Sequence, residues 1–245
     1  MINPILAPKQ TVSRHVVDDG PVSLVIMYIG SQVSATVTVA SGDITFKHGA
    51  AAAEAVDATI DSGGDDDGVI DVSDTTADTL GEVVDLINGS ANWKAYIKDG
   101  IRADASAGLL ARSETTLTPN VTETPLYSDT STDLELSIRI GSRTKVNGTE
   151  ENSAAELLRV ISTNTFGSGT SLIQVYEVDE IKKTETKIFE AAGNATTIKQ
   201  DLDLIKDGVG GLAVSRTGMH LVVRMKGSAA CTGKITAIGQ VARGA

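Results

Sequence analysis

Only one cysteine, Cys231, occurs in the chain, which excludes an internal disulfide framework and a thiolate metal cluster. Aromatic residues make up 3% of the sequence, so a core has to be assembled from Val, Ile, Leu and Ala. No apolar run approaches the roughly 20 residues of a membrane-spanning helix. The opening Met-Ile-Asn-Pro-Ile-Leu-Ala-Pro lacks the charged start and long apolar stretch of a secretory signal. Synthesis in the cytosol, with no membrane partner, is the expectation. The three histidines, His15, His48 and His220, lie far apart, and none sits in a metal-ligand or nucleophile motif. No catalysis and no cofactor are expected.

What is present points to strands and turns. The hydrophobic content is 41%, and 24 glycines accompany heavy use of Thr and Ser. A chain of 245 residues suffices for one large domain or two small ones. The net charge of −11 is unevenly placed: Glu54 to Asp85 carries eleven carboxylates and no Lys or Arg. The last thirty residues carry five basic side chains and no acidic one. Such halves either meet head to tail in an assembly or stand apart as solvated surfaces. No cluster of cations tracks a nucleic-acid backbone, so nucleic acid is not an expected partner.

Along the chain, residues 1–20 read as an N-terminal arm, broken by Pro4 and Pro8 and closed by the turn Asp18-Asp19-Gly20-Pro21. The arm is expected to order only on a partner. A β-rich domain is expected over 21–112. Val22 to Ile29 is almost continuously apolar, Val33 to Val39 alternates with a period of two, Ser41-Gly42 is a turn, and Ile44 to Lys47 pairs back. Thr79-x-x-Glu82 fits a capping box, and Leu80, Val83, Val84 and Ile87 recur at helical spacing. That predicts a helix over about 79–88 with Gly89 as its stop. The Thr-rich segment 113–133 reads as a linker or long loop. Residues 134–245 read as short strands: Leu134 to Ile140, Leu157 to Ser162, Leu172 to Val178, Lys187 to Ala191, Leu221 to Lys226 and Ile235 to Val241. Thr197 to Ile205 suits either a helix or a strand. The fold class is therefore mainly β, with two β-rich parts, the second an antiparallel sandwich or jelly-roll-like domain.

Gly167-x-Gly169 and Gly208-x-Gly210-Gly211 lack the strand–loop–helix setting and the Lys-Ser/Thr of nucleotide loops, and read as turn glycines. In the acidic segment, Asp65-x-Asp67-Gly68 echoes part of a calcium loop, making Asp65, Asp67 and Asp71 the candidate calcium ligands. Gly63 stands where the first ligand belongs and Asp74 where a bidentate Glu belongs, so a solvated acidic loop fits the segment better. The acceptor patterns at Asn88, Asn120, Asn147 and Asn194 read as chance in so Thr- and Ser-rich a chain.

Two stretches resemble structural proteins of tailed-phage virions. One is the first-half strand order followed by Thr79-Leu80-Gly-Glu-Val-Val-Asp-Leu-Ile-Asn-Gly89 and Trp93-Lys-Ala-Tyr96. The other is the closing Gly218-Met-His-Leu-Val-Val-Arg-Met-Lys-Gly227 with Thr232-Gly-Lys-Ile-Thr-Ala-Ile-Gly239, which looks like the end of a phage β-sandwich. The resemblance implies a capsid decoration (cement) protein, located in the virion, a homo-oligomer whose partners are the major capsid protein and copies of itself. The alternative it implies is a tail or fibre protein with a glycan- or receptor-binding role.

Overall fold

A computed structural model describes residues 9–15, 22–64, 66–98, 100–128, 136–141, 143–144, 150–151, 153–166, 172–192, 197–204, 212–214, 219–226 and 231–243. The chain divides into two units, one formed by Asp19–Asp129 with Val146–Gly148 and the other by Met1–Asp18, Thr130–Lys145 and Thr149–Ala245. The first is thus inserted, in sequence, into the second.

The strand β1 (Lys9–His15) belongs to the discontinuous unit. The inserted unit begins with β2 (Val22–Tyr28), β3 (Ser34–Ala40), β4 (Asp43–Ala50), β5 (Ala53–Val56) and β6 (Val69–Asp71). The helix α1 (Leu80–Gly89), β7 (Trp93–Ile97), β8 (Arg112–Leu117) and β9 (Glu123–Tyr127) complete it. Strands pair in the orders β7-β2-β9 and β5-β4-β3-β8, with β6 sharing the β5 side of β4. Ser41 (φ 56°) and Gly42 (φ 96°) both turn left-handed to close the β3–β4 hairpin, as a two-residue turn with the strands' own twist requires. Leu24, Ile26 and Tyr28 of β2, Ala35, Val37 and Val39 of β3, and Ile44 and Phe46 of β4 face one core. The alternation of Ala35, Val37 and Val39 is the pattern read from the sequence.

The helix packs on β7 and β2 and buries Leu80, Val83, Val84 and Ile87. Its start is the predicted capping box: Thr79 Oγ1 accepts from Glu82 N, and Thr79 N donates to Glu82 Oε2 at 3.1 Å. Gly81 lies so close to the 101–105 segment that a Cβ would stand 2.8 Å from that of Arg102. This closeness lets Gly81 N donate to Arg102 O and Leu80 N to Asp104 O, occupying amides that a helix start leaves open. Gly89 is the last helical residue rather than a left-handed stop; Ser90, extended, is the cap.

The discontinuous unit adds β10 (Leu136–Gly141), β11 (Arg143–Thr144), β12 (Glu150–Glu151), β13 (Ser153–Phe166), β14 (Leu172–Asp179) and β15 (Thr184–Ala192). Its last four strands are β16 (Thr197–Asp203), β17 (Leu212–Val214), β18 (Met219–Lys226) and β19 (Cys231–Arg243). One sheet runs β1-β19-β13-β16, with β17 also on β13; the other runs β10-β18-β14-β15, all antiparallel. Apart from the β11–β12 ribbon and β17, the strands in chain order are β1, β10, β13, β14, β15, β16, β18 and β19. The first pairs with the last, the second with the seventh, the third with the sixth and the fourth with the fifth. That nesting is a long hairpin rolled into two sheets, the jelly-roll order. The sheets approach where β10 runs beside β13 and β19. Leu157 and Val160 of one sheet and Ile173, Val175, Leu221 and Val223 of the other are buried.

Two segment boundaries differ from the sequence reading. Lys9–His15, inside the expected arm of residues 1–20, is an edge strand paired residue by residue with β19, from Lys9↔Gln240 to His15↔Lys234. An edge strand draws on one backbone ladder and needs little apolar content of its own, so its polar side chains do not betray it. Residues 113–133, expected as a linker, supply most of β8 and all of β9 within the inserted unit. Thr, the residue that suggested a loop, is also a strand former on a half-exposed sheet. The unit boundary falls at Asp129–Thr130 instead.

Candidate functional site

Of the calcium candidates, the two that are described each bond a backbone amide of the segment. Asp65 lies outside the described residues. Asp67 Oδ1 accepts from Val69 N at 2.9 Å, and Asp71 Oδ1 accepts from Ser73 N at 2.7 Å. Asp61 and Asp74 do the same for Gly64 N and Thr76 N, both within the segment. Each carboxylate thus closes its own turn, as Asp does with an amide two or three residues on. The Ser73 side chain, then its amide, holds the Asp71 carboxyl below its ordinary value against desolvation. Among the described residues, no group of three His, Cys, Asp or Glu side chains could hold a metal ion. The glycines at 167–169 and 208–211 lie outside the described residues.

The histidines have separate surroundings. His15 is on β1, paired with Lys234. His220 is 2% exposed on β18, with Nδ1 3.7 Å from Glu180 Oε1. On the same sheet, Tyr176 OH donates to Gln174 Oε1, while Gln174 Nε2 and Lys187 Nζ donate to Glu190 Oε2 at 2.8 and 2.6 Å. The Arg224 guanidinium, 2% exposed, lies 5.5 Å from the Tyr176 ring centre. The register explains the grouping, because Gln174 stands opposite both Glu190 and Arg224.

The strongest polar constellation was not visible in the sequence. It centres on Asp57, immediately after β5, whose side chain is 3% exposed. Asp57 Oδ1 accepts from Thr59 N at 3.1 Å and from the Thr59 hydroxyl. Asp57 Oδ2 accepts from Trp93 Nε1 at 3.1 Å and Asn92 Nδ2 at 3.2 Å, and lies 3.2 Å from His48 Nε2. Tyr28 stacks on His48 with ring centres 5.6 Å apart, and the edges of Tyr28 and Phe46 meet Trp93 at 5.0 and 4.9 Å. Burial alone would raise the Asp57 pKa. The Thr59 hydroxyl, Asn92, the Thr59 amide and the His48 charge outweigh it and lower it. His48 Nδ1 is closed off from solvent with no hydrogen-bond partner among the described residues. The cluster forms a polar clasp. It ties β4, the turn after β5 and the start of β7 together.

At the Tyr28 end of β2 several loops gather. Ile29 N donates to Asn92 O, Gln32 N to Tyr28 OH, and Asn120 N to Tyr28 O. The β4–β5 turn at Ala51 and Ala52 joins them, since Ser34 stands opposite Gly49. Val33 and Val121 are 73% and 72% exposed there.

No family model, no curated protein and no solved structure matches this chain.

Proposed function

We propose that this protein is a structural component of a tailed-phage virion that binds the outside of the capsid shell and stabilises it. The observation that carries the reading is the strand order of the discontinuous unit. Nested pairing of β1 with β19, β10 with β18, β13 with β16 and β14 with β15 gives a jelly roll, an architecture used in viral capsid and lectin domains. The buried aromatics favour shell binding over sugar binding. A sugar platform needs exposed rings, whereas Trp93, the one tryptophan, is fully buried together with Tyr28 and Phe46. The acidic surface of the Asp61–Asp74 loop suits an outward face, away from packaged nucleic acid. Weak individual contacts suffice, because a ligand that binds only the assembled shell stabilises it by mass action and many copies act together.

The test compares particles with and without the protein, heated while genome release is followed. Particles lacking it should release at a lower temperature. Equal release temperatures, with the depleted particles failing to adsorb to cells, would replace shell binding with a tail or fibre role.

A further inference from the structure

The inserted unit has two ends, and they differ in chemistry. At one end the chain enters and leaves: Val22 stands opposite Tyr127, and the Ser23 and Ser128 hydroxyls hydrogen-bond to each other. At the other end lie the loops of residues 29–33, 50–53, 90–92 and 118–122. None of these loops contains a charged residue, in a chain with 32 acidic and 21 basic ones. The charges on the rim are engaged within the unit. Lys94 Nζ donates to Asn88 O at 3.0 Å, Glu54 is bonded by the Ser34 side chain, and Glu123 accepts from Tyr96 OH.

This end is also preorganised. Thr118 N donates to Thr122 Oγ1, and Val121 N and Thr122 N return to Thr118 O. Ala52 (φ 61°) and Asn120 (φ 57°) hold left-handed conformations here, costly for Ala in particular. Strain retained at a loop tip marks a shape that the surroundings enforce. Val33 and Val121 project from this frame as two exposed apolar knobs on a scaffold that has already met its ordering cost.

From this we infer that the uncharged loop end of the inserted unit is a self-association surface, occupied by the same end of a second copy. The occupant follows from charge. Two chains of net charge −11 repel through an acidic face such as the Asp61–Asp74 loop, while this end brings no like charges together. A two-fold contact presents each valine knob to the partner's loops, as an isologous interface requires. The inference does not depend on the role proposed in a virion.

The test is sedimentation equilibrium of the full chain, wild type against Val33→Asp, Val121→Asp and the double variant, at up to about 100 μM protein. The wild type should dimerise with an affinity nearly unchanged by salt. Each substitution should weaken it on the order of tenfold or more, since it carries a charge into the contact. The Trp93 emission maximum, set by its fully buried indole, should stay constant and certify the fold. Val33→Ser with Val121→Ser gives a milder pair for the same comparison. A wild type that stays monomeric, a dimer unaffected by these substitutions, or one that dissociates as salt rises would each overturn the inference.

Discussion

The residue that organises the inserted unit is Asp57, because it alone satisfies donors from the turn after β5, from Asn92 and from Trp93. Replacing it by Asn keeps the size but puts an amide where the Trp93 and Asn92 N–H groups need an acceptor. One stranded buried donor costs about 2 kcal/mol, so Asp57→Asn should lower the urea midpoint accordingly and shift Trp93 emission. The pH dependence follows from the sign of the shift. The folded pKa lies below the unfolded value, so the unfolded chain takes up this proton first as pH falls. The stabilisation is complete above the ordinary aspartate range, near about 3.9, and is lost as pH falls through the folded value. Melting temperature followed from neutral pH downward should therefore fall less steeply in Asp57→Asn than in the wild type; parallel curves would assign the acid sensitivity to other carboxylates.

Elements differ in how much of themselves they declare. For α1 the local chemistry is sufficient, since Thr79, Glu82 and the Leu80–Ile87 face lie within ten residues. Thr79→Ala should destabilise the unit by about 1 kcal/mol, read as a lower urea midpoint with unchanged slope. An unchanged midpoint would mean that the Arg102 and Asp104 carbonyls already hold the helix start without the cap. Strand β3 was equally legible, because Ala35, Val37 and Val39 recur with a period of two between threonines. Thr197–Asp203 was ambiguous in isolation and is settled by its pairing with β13, a partner more than thirty residues upstream in the chain. β1 and β8 were misread because an edge strand and a half-exposed strand carry polar side chains, and backbone pairing leaves no mark in composition. The Asp57 clasp was illegible for a related reason. Its members, His48, Thr59, Asn92 and Trp93, come from separate elements, and in the sequence Asp57 is one carboxylate among eleven between Glu54 and Asp85. The same run drew attention to Asp65, Asp67 and Asp71, of which Asp67 and Asp71 bond amides of their own turns.

For the molecule as a whole, the decisive feature is that a β unit interrupts a jelly roll between its first and second strands. Such an insertion is tolerated when the guest's ends lie side by side, because the host then sees only a closed loop. Here they do: β2 and β9 are paired neighbours, with Val22 opposite Tyr127. The guest has its own core, from Leu24 and Ile26 through Phe46 to Ile87 and Trp93, and the host has another around Leu157, Val175 and Val223. Each unit should therefore fold without the other. A fragment of residues 19–129 should unfold cooperatively, with the blue-shifted emission that a buried Trp93 gives in the full chain. A chain with 19–129 replaced by a short Gly/Ser loop should keep its strand content by circular dichroism and melt in a single transition. The cost of closing a loop grows only as the logarithm of its length, so shortening it should not destabilise the host by more than about 1 kcal/mol. If the shortened chain melted without cooperativity while the fragment remained folded, the jelly roll would depend on its guest, and the insertion would be part of its core rather than a module carried upon it.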